Sequence, residues 1–166
     1  MQSRSDLSRR LAFIYRSWEL NEFEKYVALS QEQIIEEARS CYGDTVVEHW
    51  LKPRNLYPIE NPDGHARVKG PCGDTMEIFI RVREGKITQA SFLTDGCITS
   101  IASGSITVEA SIGRELPDAK AITQQDILNL LGGLPEASRH CALLASNTLR
   151  AAVDDYLTSG HDQRIR

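Results

Sequence analysis

Apolar and polar side chains alternate over Thr75–Arg83, with Met76, Ile78 and Ile80 set against Thr75, Glu77 and Arg81. A period of two predicts a strand with one buried face. Similar stretches cover residues 66–69 and 86–94, and the Glu84-Gly85 pair predicts a tight turn that joins the last two strands as an antiparallel hairpin. Beyond the hairpin the period lengthens. Residues 98–112 read as a helix whose middle, Ala102-Ser103-Gly104-Ser105, is small enough to let its backbone approach a neighbour closely. A shorter helix over 123–131 ends at Gly132-Gly133, glycine being the residue that accepts the left-handed conformation after a helix. The last helix starts after Ser138 and runs to about Leu157, with Ala142, Ala145, Leu149, Ala152, Val153 and Tyr156 on one face.

Upstream of the strands, residues 1–40 read as helical, most strongly from Ser30, where Ser30-Gln31-Glu32-Gln33 forms a capping-box pattern ahead of Ile34 and Ile35. A second helix over 44–51 stops at Lys52-Pro53, because the residue before a proline is pushed out of the helical region. Residues 55–70 are turn and loop. Strands followed by helices predict an α+β fold: a small antiparallel three-stranded sheet packed against helices. The expected organisation is an N-terminal helical extension over 1–41 and a main domain over 42–160.

Charge and composition then narrow the function. A net charge of −4 argues against a nucleic-acid surface, which needs clustered Lys and Arg. No apolar run reaches the roughly 18 residues of a membrane span, and the first residues lack a signal-peptide core, so the expectation is a cytoplasmic protein. In a reducing compartment its four cysteines are metal-binding, catalytic or buried rather than paired in disulfides.

A lone intracellular cysteine is most often a small buried hydrophobe, and that reading suits Cys41. Cys72, Cys97 and Cys141 fit it less well. All three stand at ends of elements beside Gly or His, where burial is expected to be poorest. Cys97 and Cys141 also fall at helix N-termini, where unpaired N–H groups and the helix dipole favour the thiolate. Asp74 is either a turn residue or a ligand, and His140, next to Cys141, is either an exposed first-turn residue or a ligand for zinc or iron. His49, His65 and His161 are read as ordinary structural residues. No Cys-x-x-Cys pair is present, which removes the zinc-ribbon, ferredoxin and thioredoxin patterns.

The surroundings of these residues are more specific. "YGDTVVEHWLKPRN" (42–55), "GPCGDTMEIFIRV" (70–82), "ASFLTDGCITSIASGS" (90–105) and "LPEASRHCALLASNTLRAAVDDYL" (134–157) occur in this order. Together they resemble the IscU/NifU-like iron–sulfur cluster assembly scaffold family. The resemblance implies a protein that assembles a transient iron–sulfur cluster, [2Fe–2S] by expectation, and hands it on, with zinc as an alternative occupant. By matching position, the cluster ligands are Cys72, Cys97 and Cys141, with Asp74 and His140 as candidates for the fourth place. Cys141 is also the expected persulfide acceptor. The implied partners are a cysteine desulfurase, an electron donor, apo-protein acceptors and an Hsp70-type chaperone. That chaperone reads a Leu-Pro-Pro-Val-Lys segment in bacterial members, and here the segment is Leu134-Pro135-Glu136-Ala137-Ser138. Two rival readings stand beside the scaffold: a zinc-dependent sulfurtransferase of the SufU type, whose insertion between the second and third cysteines is missing here, and a structural zinc protein.

Overall fold

The computed structural model describes residues 22–159. Two compact units divide between Ser40 and Cys41. The first contributes most of helix α1, Glu22–Tyr42, which passes through Ser30 without a break. Ser30 therefore caps nothing; its hydroxyl donates to the Tyr26 carbonyl one turn back, as serines inside helices do. Phe23, Tyr26, Leu29 and Ile34 are exposed on α1. The helix expected over 1–21 lies outside the described residues.

In the second unit Gly43, with a φ of 85°, precedes helix α2, Asp44–Leu51. The three strands are β1 Gly64–Lys69, β2 Thr75–Arg83 and β3 Lys86–Thr94, in the order β1-β2-β3 and all antiparallel. At the tip of the β2–β3 hairpin Glu84 and Gly85 both have positive φ, the backbone that matches the twist of the strands it joins. Helix α3 spans Ile98–Ser111, α4 Leu116–Lys120, α5 Gln124–Leu131 and α6 Arg139–Thr158, the last preceded by one 3₁₀ turn over Glu136–Ser138. Thr123 and Asp126 close a reciprocal capping box on α5, and Gly132 ends it with φ 79°. The short α4 was not expected, since five residues are too few to show a period; Pro117 in its first turn is the one sequence signal for it.

The expected alternation is realised in the core. Met76, Ile78, Ile80 and Val82 of β2 and Ile87, Ala90 and Phe92 of β3 turn one face of the sheet inward. Ala142, Ala145, Leu149, Ala152, Val153 and Tyr156 of α6 are all buried, and α6 packs along β1 and β2 while α3 packs on β3, α2 and α6. Small residues set those distances. A Cβ placed on Gly104 would meet Phe92 Cε2 at 2.5 Å, and one on Gly64 would collide with the Ala152 carbonyl. Sheet and helices thus close to a separation that only glycine permits at these two points, and the ends of β2, β3, α3 and α6 are brought to one side.

Candidate metal centre

Four chain segments meet where β2 begins and β3 ends. The loop from Gly70 to Asp74 folds on itself through hydrogen bonds from Gly73 N to Gly70 O (3.1 Å) and from Gly70 N to Asp74 O (2.8 Å). Gly73 carries it at φ 96°, a conformation that costs a residue with a side chain. The next loop is tied to it: Thr75 N donates to Asp95 Oδ1 (2.6 Å), Thr94 Oγ1 donates to Thr75 O (2.7 Å), and Gly96 N donates to Thr94 Oγ1 (3.2 Å). The Thr75 N–H holds the Asp95 carboxyl below its ordinary value. These bonds place Asp74 beside Cys97, the N-cap residue of α3.

Asp74, Cys97 and Cys141 each offer a ligand atom, and those atoms lie within 4.8 Å of one another. It is the one such group of His, Cys, Asp and Glu among the described residues. Two hydroxyls thread it together. Thr99 Oγ1 lies between the thiols, 3.1 Å from Cys97 Sγ and 3.2 Å from Cys141 Sγ. Ser100 donates to Asp74 Oδ2 (2.7 Å) and lies 3.3 Å from Cys141 Sγ. His140 Nε2 stands 3.5 Å from Cys141 Sγ, at the edge of the group. Cys72 is exposed and outside it, although near enough for its charge to act on Cys141. Neither hydroxyl was expected to be functional. Their sequence signal was there, two hydroxyl residues in the first turn after an N-cap cysteine.

The burial of the cysteines reverses two expectations. Cys141 is 1% exposed, although it opens a helix, because α3 lies across it with Thr99 and Ser100. Cys41, expected to be buried, is exposed in the last turn of α1. The two site thiols also differ in acidity. Burial pushes the Cys141 thiol up, and the neighbouring Cys97 and Cys72 push it further up. Cys97 is exposed, although partial desolvation of its thiol opposes ionisation. The Thr99 hydroxyl and the first-turn N–H groups of Ser100 and Thr99 together outweigh that, and its thiol is pulled below the ordinary value. Cys97 is therefore the more acidic and the more exposed of the two thiols.

Reactivity follows from that difference. In metal-free protein at neutral pH, iodoacetamide should label Cys97 on the order of tenfold or more faster than Cys141, read by peptide mass mapping. The Cys97 rate should rise with pH and level off below the pH at which a cysteine in an unfolded peptide does, and Cys141 above it. Equal rates at the two sites would contradict the burial described here.

Elsewhere, buried His49 accepts or donates at 2.8 Å to Ser105 Oγ and faces Glu109, and His65 meets Glu77 and stacks on Phe79, so both serve the fold as expected. His161 lies outside the described residues. Among the described residues no helix is long and apolar enough to cross a membrane.

Residues 41–162 match the family model described as the NifU-like N terminal domain. The chain belongs to that family. It is 40% identical over 116 residues to iron-sulfur cluster assembly scaffold protein IscU 1 of Archaeoglobus fulgidus, covering 69% of this chain and 76% of that protein. It is also 40% identical over 121 residues to the scaffold protein IscU of Escherichia coli, covering 70% and 94%. In three dimensions it resembles the N-terminal part of a nitrogen-fixing NifU-like protein from Brucella abortus, with a TM-score of 0.59 at 20% identity, covering 74% of this chain and 99% of that one. A putative scaffold protein for the SUF system from Fervidobacterium islandicum shares the fold at a TM-score of 0.58 and 21% identity, covering 69% and 98%. The family match begins at residue 41, where the second compact unit also begins.

Proposed function

We propose that this protein is a scaffold on which a transient iron–sulfur cluster is assembled and from which it is passed to apo-proteins. The observation that carries the reading is the convergence of Asp74, Cys97 and Cys141 at one point of a NifU-like domain. Cys72, on the loop that also holds Asp74, is the third thiolate of the proposed site, and His140 is the alternative to Asp74 for the fourth place. A [2Fe–2S] cluster is the cargo we assign, with zinc as another occupant of the same donors. The corresponding partners are a cysteine desulfurase supplying sulfur, an electron donor, acceptor proteins and an Hsp70-type chaperone.

The donor set suits temporary holding. Thiolates match the soft iron–sulfide core, whereas a carboxylate is a harder and poorer match. Asp74 thus gives a site that is filled without being closed. Cys97 is exposed and Asp74 half-exposed, which leaves a route for the cargo. The deciding experiment is anaerobic reconstitution of the metal-free protein with iron and sulfide, followed by transfer to an apo-ferredoxin. The expected result is visible cluster absorption and its movement to the acceptor. Tightly retained zinc with no transfer would instead support a structural zinc site. Asp74→Ala should keep the fold and slow transfer severalfold, because the exchangeable oxygen donor is lost; unchanged transfer kinetics would return Asp74 to a turn residue.

A further inference from the structure

We propose that Ser100 is the positioning residue that makes Asp74 a ligand, its hydroxyl holding the carboxylate against the two thiols. The inference rests on the scaffold reading of the site. Asp74 sits at the end of a glycine-flanked turn with nothing in its own loop that fixes its side chain; the hydrogen bond recorded for its carboxylate comes from Ser100, on a different element. Ser100 is itself fully buried at the start of α3, so its hydroxyl has a fixed origin. A serine hydroxyl carries one proton. At 2.7 Å a carboxylate takes it in preference to Cys141 Sγ at 3.3 Å, so the bond to Oδ2 is the charge-assisted one.

The junction is built around that bond. A Cβ placed on Gly96 would come within 2.5 Å of both Asp74 Oδ2 and Ser100 Cβ, so the carboxylate and the serine close over a position that must lack a side chain. With one oxygen engaged by Ser100, Asp74 presents the other as a single donor. Its orientation is then set before any metal arrives. Without the hydroxyl the loop has no tie to α3 through this side chain, and the carboxylate turns toward solvent. Ser100 touches no cargo in this arrangement; it acts through Asp74.

Cobalt(II) is the probe, because its absorption reports the donor set as well as the affinity. Parent, Asp74→Ala, Ser100→Ala and the double variant are titrated with Co(II) under anaerobic conditions. Each single change should weaken binding by roughly 10- to 100-fold, the usual cost of losing a group that orients a ligand. The two should shift the ligand-field bands in the same way, and the double variant should add almost nothing to either single, since partners in one bond are not additive. Gly96→Ala, which keeps both residues but crowds the carboxylate and the Ser100 side chain apart, should reproduce the Ser100→Ala spectrum. Holding a lone ion and handing on a cluster are different quantities: the oxygen donor adds to the first and opens the exchange route for the second. Additive losses, or a parent-like spectrum in Ser100→Ala, overturn the role of Ser100 while leaving the scaffold standing. A parent that shows no sulfur-to-cobalt charge transfer overturns the thiolate site and the scaffold reading together.

Discussion

Cys97→Ser and Cys141→Ser, each reconstituted anaerobically with iron and sulfide, should hold no stable cluster, whereas Cys41→Ser should load like the parent. Serine keeps the shape of cysteine, so far-UV circular dichroism should stay that of the parent and separate lost binding from lost fold. What changes is the donor. A thiol can become a thiolate near neutral pH and is soft, whereas a hydroxyl stays protonated and is hard. Losing a ligand outright should cost at least the roughly 10- to 100-fold that follows from losing a group behind one. Cys141 lies with Asp74 and Cys97 inside 4.8 Å, while Cys41 is an exposed residue of the last turn of α1. Visible absorption per chain is the measurement. Its survival in Cys97→Ser, or its disappearance in Cys41→Ser, would mean that the cargo is held elsewhere.

The parts of this molecule that could be read from sequence are those in which local pattern and tertiary structure ask for the same residue. Met76, Ile78 and Ile80 alternate because one face of β2 is buried, and the ends of β2 and β3 fall where the turn residues Glu84 and Gly85 place them. The short helix α4 shows no period, and the irregular register between Arg81 and Val82 leaves no local mark. Burial of the cysteines followed no local rule at all. The end of an element is exposed only if nothing packs over it, and α3 packs over Cys141 through Thr99 and Ser100, residues 40 or so positions away in the chain. For the same reason the two thiols differ in acidity. A helix N-terminus favours both thiolates, but desolvation wins at Cys141 and hydrogen bonding wins at Cys97. The small residues of α3 were read as a packing device, and Gly104 is one; Thr99, Ser100 and Ser105 in the same helix carry hydrogen bonds as well.

Gly104→Ala should destabilise the protein by about 2 kcal/mol, against the sign that helix propensity alone predicts. In a helix interior alanine is favoured over glycine by about 1 kcal/mol. At this position the added methyl would meet Phe92 Cε2 at 2.5 Å, inside the separation that real carbon atoms keep. Phe92 is fully buried on β3 and cannot turn into solvent, so the helix or the strand has to move. Forcing a methyl into a filled core costs typically about 1–3 kcal/mol, and a contact this close belongs at or beyond the upper end of that range. Urea unfolding should therefore show a lower midpoint with an unchanged slope. Pairing the change with Phe92→Leu, which removes ring atoms from the point of collision, should recover part of the loss, a non-additivity expected only of residues in contact. The same displacement reaches the metal centre, because α3 carries Cys97, Thr99 and Ser100 on its first turn while Cys141 stays on α6. Cobalt(II) affinity should fall in Gly104→Ala and recover in step with stability in the double variant. A Gly104→Ala protein as stable as the parent would show that α3 and β3 can separate without cost, and that their close approach does not set the geometry of the site.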